Sequence, residues 1–400
     1  MWAARYSSVL LLRQARHENA RAHWNDAYTV NRNAEPTLTA VYRVREPGRT
    51  IAARAKTIAL EQSIEMSDAI VTDAYVRRAI IGKVEAIDEA GPGEYDVRIA
   101  LAVATTGPEP GQLMNMLFGN TSIHEDVRLV DVAIPAALAK AFGGPNHGLA
   151  GLRARVGAKA RAMTCSAIKP QGLPAAKLAA IAGRFAKGGI DFVKDDHGLA
   201  DQPYSPFAER LRACADAVAD ANAATGGNTR YVPSLTGSLD QLRSQAEAAL
   251  RAGVDTALTT PMVIGLPAFH ALAREFRDLA LIAHPALAGA LRIAPPLLLG
   301  KLFRLFGADA TIFPNHGGRF GYTVETCLDL ARDARGDWHG LKACAPVPAG
   351  GMTTERVPEM LEFYGPDTIL LIGGNLLAAG DALTEKTAEF VAMVKGHGRS

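Results

Sequence analysis

The sequence predicts an α/β protein in two parts, an N-terminal α+β domain of the ferredoxin-like kind followed by a C-terminal (β/α)8 TIM barrel. Three observations predict it. From about residue 160, short apolar runs alternate with amphipathic stretches and are separated by Gly, Pro or Asp, the pattern of repeated βα units. Eight such pairs follow one another, the number that closes a barrel, whereas a doubly wound sheet normally stops at about five to seven strands. Ahead of them the rhythm differs, with strand-like runs and only two helical stretches, so a separate domain precedes the barrel. The expected divisions are a loose extension over 1–30, the α+β domain over 31–145 and the barrel over 146–400.

In the N-terminal domain, strands are expected at 38–44, 75–86, 95–103 and 127–134, with helices at 51–61 and 111–118. Barrel strands are expected at 162–168, 190–194, 230–235, 256–259, 280–283, 310–313, 341–345 and 368–372. Helices are expected at 174–186, 206–223, 238–252, 267–278, 297–306, 323–334, 354–364 and 382–395.

Composition excludes several classes of function. The chain has 400 residues, 48% apolar and 21% charged, which is average for a globular protein with a large core. A net charge of +2 supplies no overall field for nucleic acid or an anionic membrane, so any anion must be bound locally. No run of about 18 apolar residues occurs, which excludes a membrane-spanning helix. Cys165, Cys214, Cys327 and Cys344 have no CxxC spacing and read as reduced and structural. The first 26 residues are Arg-rich but lack the apolar core and cleavage site of a leader, so a cytoplasmic location is expected.

Barrel chemistry sits at the C-terminal ends of the strands. The densest cluster there is Lys194-Asp195-Asp196-His197, where charge in a half-buried place must be paired or hold a cation. Strand alternation puts Lys194 and Asp196 on one face and Asp195 on the other. Carboxylates with further oxygen donors suit Mg2+, although an ion pair closing the strand would read the same way. Lys169, followed by Pro170, stands where a lysine steadies an enolate oxygen or shuttles a proton; a rim lysine is the plainer alternative. His284 ends the fifth strand, and Asn315-His316-Gly317-Gly318-Arg319 follows the sixth. Ala349-Gly350-Gly351 and Gly373-Gly374 fall after strands seven and eight, where bare amides commonly cradle phosphate.

The string Gly188-Gly189-Ile190-Asp191-Phe192-Val193-Lys194-Asp195-Asp196-His197, continuing to Gln202-Pro203, closely resembles the GGxDFxKDDE motif of the ribulose bisphosphate carboxylase large-chain superfamily. The resemblance runs from about residue 35 to 395 and includes Ile168-Lys169-Pro170, Phe118-Gly119-Asn120, Ala349-Gly350-Gly351 and Gly373-Gly374. It implies that Lys194 is the lysine carbamylated by CO2, that Asp196 is a ligand of one Mg2+ and that Lys169 is the catalytic lysine beside the enolate. Asp195 is then a bystander. Glu61 and Asn120 match residues that reach into a partner's site, which implies a homodimer with shared active sites.

The departures matter as much. His197 replaces the glutamate ligand, and hard Mg2+ prefers oxygen. Gln171 replaces a second lysine, and Pro285 replaces an arginine that clamps the distal phosphate. The loop after strand six offers Arg319 but no lysine. The resemblance is therefore to the RuBisCO-like, type IV proteins and not to a CO2-fixing enzyme. It implies an Mg-dependent lyase or hydrolase that forms an enolate of a monophosphorylated keto-sugar acid. The leading expectation is a 3-oxo-isoapionate 4-phosphate decarboxylase or transcarboxylase/hydrolase. The alternatives are a 5-methylthioribulose 1-phosphate isomerase or enolase and a catalytically silent sugar-phosphate-binding protein. On the leading reading Lys169, Lys194 and His284 are catalytic; Lys194, Asp196 and His197 hold metal; Glu61, Asn120, Arg319, Ala349, Gly350, Gly351, Gly373 and Gly374 bind substrate and phosphate.

Overall fold

Residues 35–397 are described by a computed structural model, so the extension expected over 1–30 lies outside the described residues. The chain divides into two units: the first runs to Gly143 and takes in Leu291–Ala294, and the second holds the rest.

The first unit is built on β1 (Thr37–Arg45), in which Leu38, Ala40, Tyr42 and Val44 are buried at every second place. β2 (Lys83–Gly91), β3 (Glu94–Ala102) and β4 (Val127–Ala133) complete an antiparallel sheet in the order β2-β3-β1-β4. Helices at Ile51–Glu61 and Pro110–Phe118 fall between its strands, giving the β-α-β-β-α-β order of a ferredoxin-like domain. The Tyr42 hydroxyl donates to the Leu117 carbonyl at 2.6 Å and ties the sheet to the second helix. Leu291–Ala294 joins this sheet, with Leu129 N donating to the Arg292 carbonyl at 3.0 Å.

One strand expectation is corrected here. The expected strand at 75–86 is a helical turn, Val76–Ile80, followed by β2. Asp73 causes it, since its carboxylate accepts from Tyr75 N at 2.8 Å and Val76 N at 2.9 Å, an N-terminal cap that apolar patterning does not reveal.

The second unit contains eight parallel strands: β5 (Met163–Ile168), β6 (Phe192–Asp195), β7 (Arg230–Val232), β8 (Thr256–Thr259), β9 (Ala280–Ala283), β10 (Ala310–Pro314), β11 (Ala345–Ala349) and β12 (Ile369–Leu371). They form two four-stranded ribbons, β12-β5-β6-β7 and β11-β10-β9-β8. Leu258 N donates to the Pro233 carbonyl, and Leu235 N to the Leu258 carbonyl, each at 2.8 Å, joining β7 to β8. On the other seam the Thr368 hydroxyl reaches the Pro346 carbonyl at 3.0 Å.

The seventh barrel strand lies four residues beyond its expected place at 341–345. Its sequence, Ala-Pro-Val-Pro-Ala, reads as broken because proline has no ladder donor. The fold accepts both prolines because β11 pairs with β10 on one edge and leaves the β12 edge without a ladder. The shift puts Gly350 directly at a strand end.

Inside the barrel, Cys165, Phe192, Val232, Leu258, Ile282 and Val347 belong to one buried cluster. With a period of two, the same inward parity carries Lys194 above Phe192, His284 above Ile282 and Ala349 above Val347. All four cysteines are free and buried.

Candidate active site

The mouth of the barrel is organised around β6. Lys194 is 3% exposed and donates to the Asp195 carbonyl at 2.9 Å. Burial outweighs the pull of the neighbouring acids and lowers its pKa, moving the amine toward its neutral, nucleophilic form. Asp196, also inward, accepts from Lys169 Nζ at 2.5 Å, and its Oδ1 lies 3.5 Å from His197 Nδ1. Burial raises the Asp196 carboxyl, but hydrogen bonds from His197 and Lys169 and the charge of Lys194 outweigh it and hold the group well below the usual carboxylate range. Asp196 therefore stays ionised.

Beyond β9, His284 stacks on His197 with ring centroids 4.0 Å apart and an interplanar angle of 12°. Burial, with the charges of Lys194 and His197, pushes the His284 pKa down to about 2, so the ring is neutral near pH 7. Ala286 N donates to its Nδ1 at 3.1 Å, which assigns the ring proton to Nε2. His284 thus presents a neutral N–H donor rather than a cation.

Asp195 is not idle. It is fully buried and accepts from Tyr231 OH at 2.7 Å, Arg210 Nε at 3.0 Å and Ser234 N at 3.0 Å. It carries no chemistry at the mouth but anchors the strand that positions Lys194 and Asp196. Sequence reasoning missed Arg210, Tyr231 and Ser234; the outward parity of Asp195 was the available signal that a buried partner must exist.

The glycine loops lie at the ends of β11 and β12. Gly350 and Gly351 have φ of 84° and 97°, in the left-handed region, and Gly350 accepts from Arg319 N at 2.9 Å. A Cβ on Gly318 would come within 2.1 Å of the Gly350 carbonyl, so the loops after β10 and β11 meet backbone to backbone. The Arg319 guanidinium lies 5.3 Å from the Phe320 ring centre. At Gly373 and Gly374 an added Cβ would meet nothing within 4 Å, so that backbone faces open space.

Glu61 and Asn120 lie in the first unit, where Asn120 Nδ2 donates to Glu61 Oε1 at 2.9 Å. They are 59 residues apart in sequence, and folding makes them one polar pair. Asn315, near the expected phosphate loops, is buried and accepts from the Tyr364 hydroxyl at 2.5 Å.

Among the described residues, no group of three His, Cys, Asp or Glu side chains is arranged to hold a metal. As an amine, Lys194 is no ligand for a hard cation. A carbamate on Lys194 beside ionised Asp196 would supply two oxygen donors, and the low-pKa amine is suited to accept CO2, so the residues fit Mg2+ in that form alone.

Comparison with known proteins bears on the family of the chain. Residues 148–311 match the family of the ribulose bisphosphate carboxylase large chain, catalytic domain. The fold and site thus define a barrel of the RuBisCO large-chain superfamily. The chain is 59% identical to a 5-methylthioribulose-1-phosphate isomerase of Rhodospirillum rubrum, over 90% of this chain and 96% of that one. A 2,3-diketo-5-methylthiopentyl-1-phosphate enolase of Geobacillus kaustophilus is 34% identical, over 74% of this chain and 76% of that one. The crystal structure of a Rubisco-like protein from Rhodopseudomonas palustris superposes with a TM-score of 0.86 at 50% identity, covering 92% of this chain and 99% of that one. The chain belongs to the RuBisCO-like, type IV proteins and is not a carboxylase. The two relatives named above by an activity are an isomerase and an enolase, which supports an enzyme, and no helix among the described residues is long and apolar enough to cross a membrane.

Proposed function

We propose that the chain is an isomerase acting on 5-methylthioribulose 1-phosphate. The observation that carries the proposal is 59% identity, across nearly the whole length of both chains, to a relative bearing that name. The mouth chemistry supports it. Isomerisation of a keto-sugar removes a proton beside the carbonyl, places charge on the keto oxygen and returns a proton to a neighbouring carbon. Lys169 steadies the developing enolate oxygen or returns the proton, and its 2.5 Å bond to Asp196 holds it in place. His284 donates from Nε2 to a substrate oxygen without adding charge. Lys194 serves either as a neutral base or, once carbamylated, as a metal ligand. Gly350, Gly351, Gly373 and Gly374, with Ala349 and Arg319 beside them, hold the phosphate.

Lys194 as a carbamate, Asp196 and His197 would hold Mg2+, which supplies a Lewis acid for neighbouring substrate oxygens. Glu61 and Asn120 complete the site of a partner subunit in a homodimer, and the enzyme works in the cytoplasm. The sequence's leading expectation, decarboxylation or carboxyl transfer on 3-oxo-isoapionate 4-phosphate, rests on the same enolate. The relatives compared above carry isomerase and enolase names instead, and this moves the proposal. Their enzymatic names also weigh against a silent binding protein.

The test is NMR of 5-methylthioribulose 1-phosphate with the purified protein in D2O, with Mg2+ and bicarbonate and again with EDTA. A new pentulose phosphate carrying deuterium at the reacting carbon is expected, lost in EDTA. An unchanged substrate sinks the isomerase reading, and turnover unaffected by EDTA removes the metal from it.

A further inference from the structure

Gly198 has no left-handed backbone that would demand glycine. Its missing side chain has another explanation. A Cβ there would lie 1.8 Å from Gln171 Nε2, 2.8 Å from its Cδ and 3.3 Å from its Oε1, so the amide end of Gln171 lies over the Gly198 Cα with its nitrogen foremost. The floor under it is stiff. Gln202 Nε2 donates to the Gly198 carbonyl at 2.7 Å, and Ala200 N donates back to Gln202 Oε1 at 2.7 Å.

The two segments joined in this way are the ones that matter at the mouth. Gln171 lies two residues after Lys169 on the loop leaving β5, and Gly198 two residues after Asp196 on the loop leaving β6. Among the described residues, the Lys169–Asp196 bond is the one side-chain hydrogen bond between these loops. The Lys169 side chain is 39% exposed, so solvent competes for its ammonium unless something holds the loops together.

We infer that Gln171 and Gly198 form a latch that holds the β5 loop on the β6 loop, making Gln171 a positioning residue that fixes Lys169 against Asp196. The latch deepens the isomerase reading, on which its kinetic arm rests, but it also has a readout that needs no substrate. Opening it lets Lys169 swing toward solvent, and a misplacement of about 1 Å at a reacting group costs up to about a hundredfold in rate.

The experiment compares wild type, Gln171→Ala, Gly198→Ala and the double variant. The added methyl at 198 meets only the far end of a flexible side chain, so it ejects the amide without unfolding the barrel, which circular dichroism checks. Each single variant is expected to lose about tenfold in kcat with KM changed less than about twofold, and the double variant to be no worse than either. Labelling of Lys169 by acetic anhydride, read by mass spectrometry on the free protein, should rise several-fold in all three. Multiplying effects in the double variant, a rise in KM at constant kcat, or unchanged Lys169 labelling would each overturn the latch. If wild type does not turn over 5-methylthioribulose 1-phosphate, the isomerase reading falls, while the labelling still decides the latch.

Discussion

Asp195 and Asp196 are neighbours in sequence, both buried, and they do opposite things. Asp195 turns away from the barrel axis into a closed shell of Arg210, Tyr231 and the Ser234 amide. Asp196 turns inward, toward Lys169 and His197 at the mouth. One strand end thus carries a structural carboxylate on one face and, on the proposed function, a reactive one on the other. Burial does not separate the two roles. What separates them is whether both oxygens are held by fixed donors of a closed shell, as in Asp195, or lie beside a partly exposed lysine and histidine, as in Asp196.

The comparison can be broken most sharply at the inner face. Lys169→Met or Asp196→Asn should lower kcat by about a thousandfold or more while the thermal midpoint stays near wild type. Equal losses of stability and activity would mean that the inner pair is structural too. On the outer face, Asp195→Ala strands the fully buried Arg210 and should cost about 3–5 kcal/mol in denaturant unfolding. A cost under about 1 kcal/mol would remove the distinction between the faces.

Tyr231→Phe sharpens the same contrast at smaller scale. It leaves one Asp195 oxygen short of a donor and should cost about 1–3 kcal/mol, with KM unchanged. The smallest effect lies in the first unit, at the exposed end of the scale. Burial raises the Asp126 carboxyl, but the Arg54 fork, at 2.8 and 2.9 Å, outweighs it and leaves the folded acid stronger than the unfolded one. Its contribution is present above the ordinary aspartate range and fades as pH falls through the lowered folded value, by under about 1 kcal/mol. Urea unfolding of wild type and Asp126→Asn across that range should converge at the acid end; a gap that widens there would reverse the sign.

Much of the fold was legible. β8 and β9 begin and end where the sequence pattern places them, at 256–259 and 280–283, because a parallel strand buried on both faces favours apolar and β-branched residues and its turns supply the punctuation. The strand at 341–345 was misplaced because two prolines read as breakers, and only the unladdered seam beside β12 makes them acceptable. The turn at Val76–Ile80 was hidden because one aspartate cap outweighed a β-branched and apolar run.

The site divides in the same way. Alternation on β6 put Lys194 and Asp196 on one face and Asp195 on the other before any contact was known, since a period of two fixes which side chains share a face. The residue types of Lys169, His284 and the paired glycines were readable because the barrel confines chemistry to strand ends. By itself the chain's pattern determined the order of βα units, which residues of a strand share a face and the placing of the candidate groups at strand ends, because these follow from local periodicity. Only the tertiary structure decided that Asp195 is an anchor, that His284 is neutral with its proton on Nε2, that Glu61 meets Asn120 and that Gln171 lies on Gly198. Those outcomes depend on burial and on contacts between segments distant in sequence, where distance and desolvation, not spacing, set the energy.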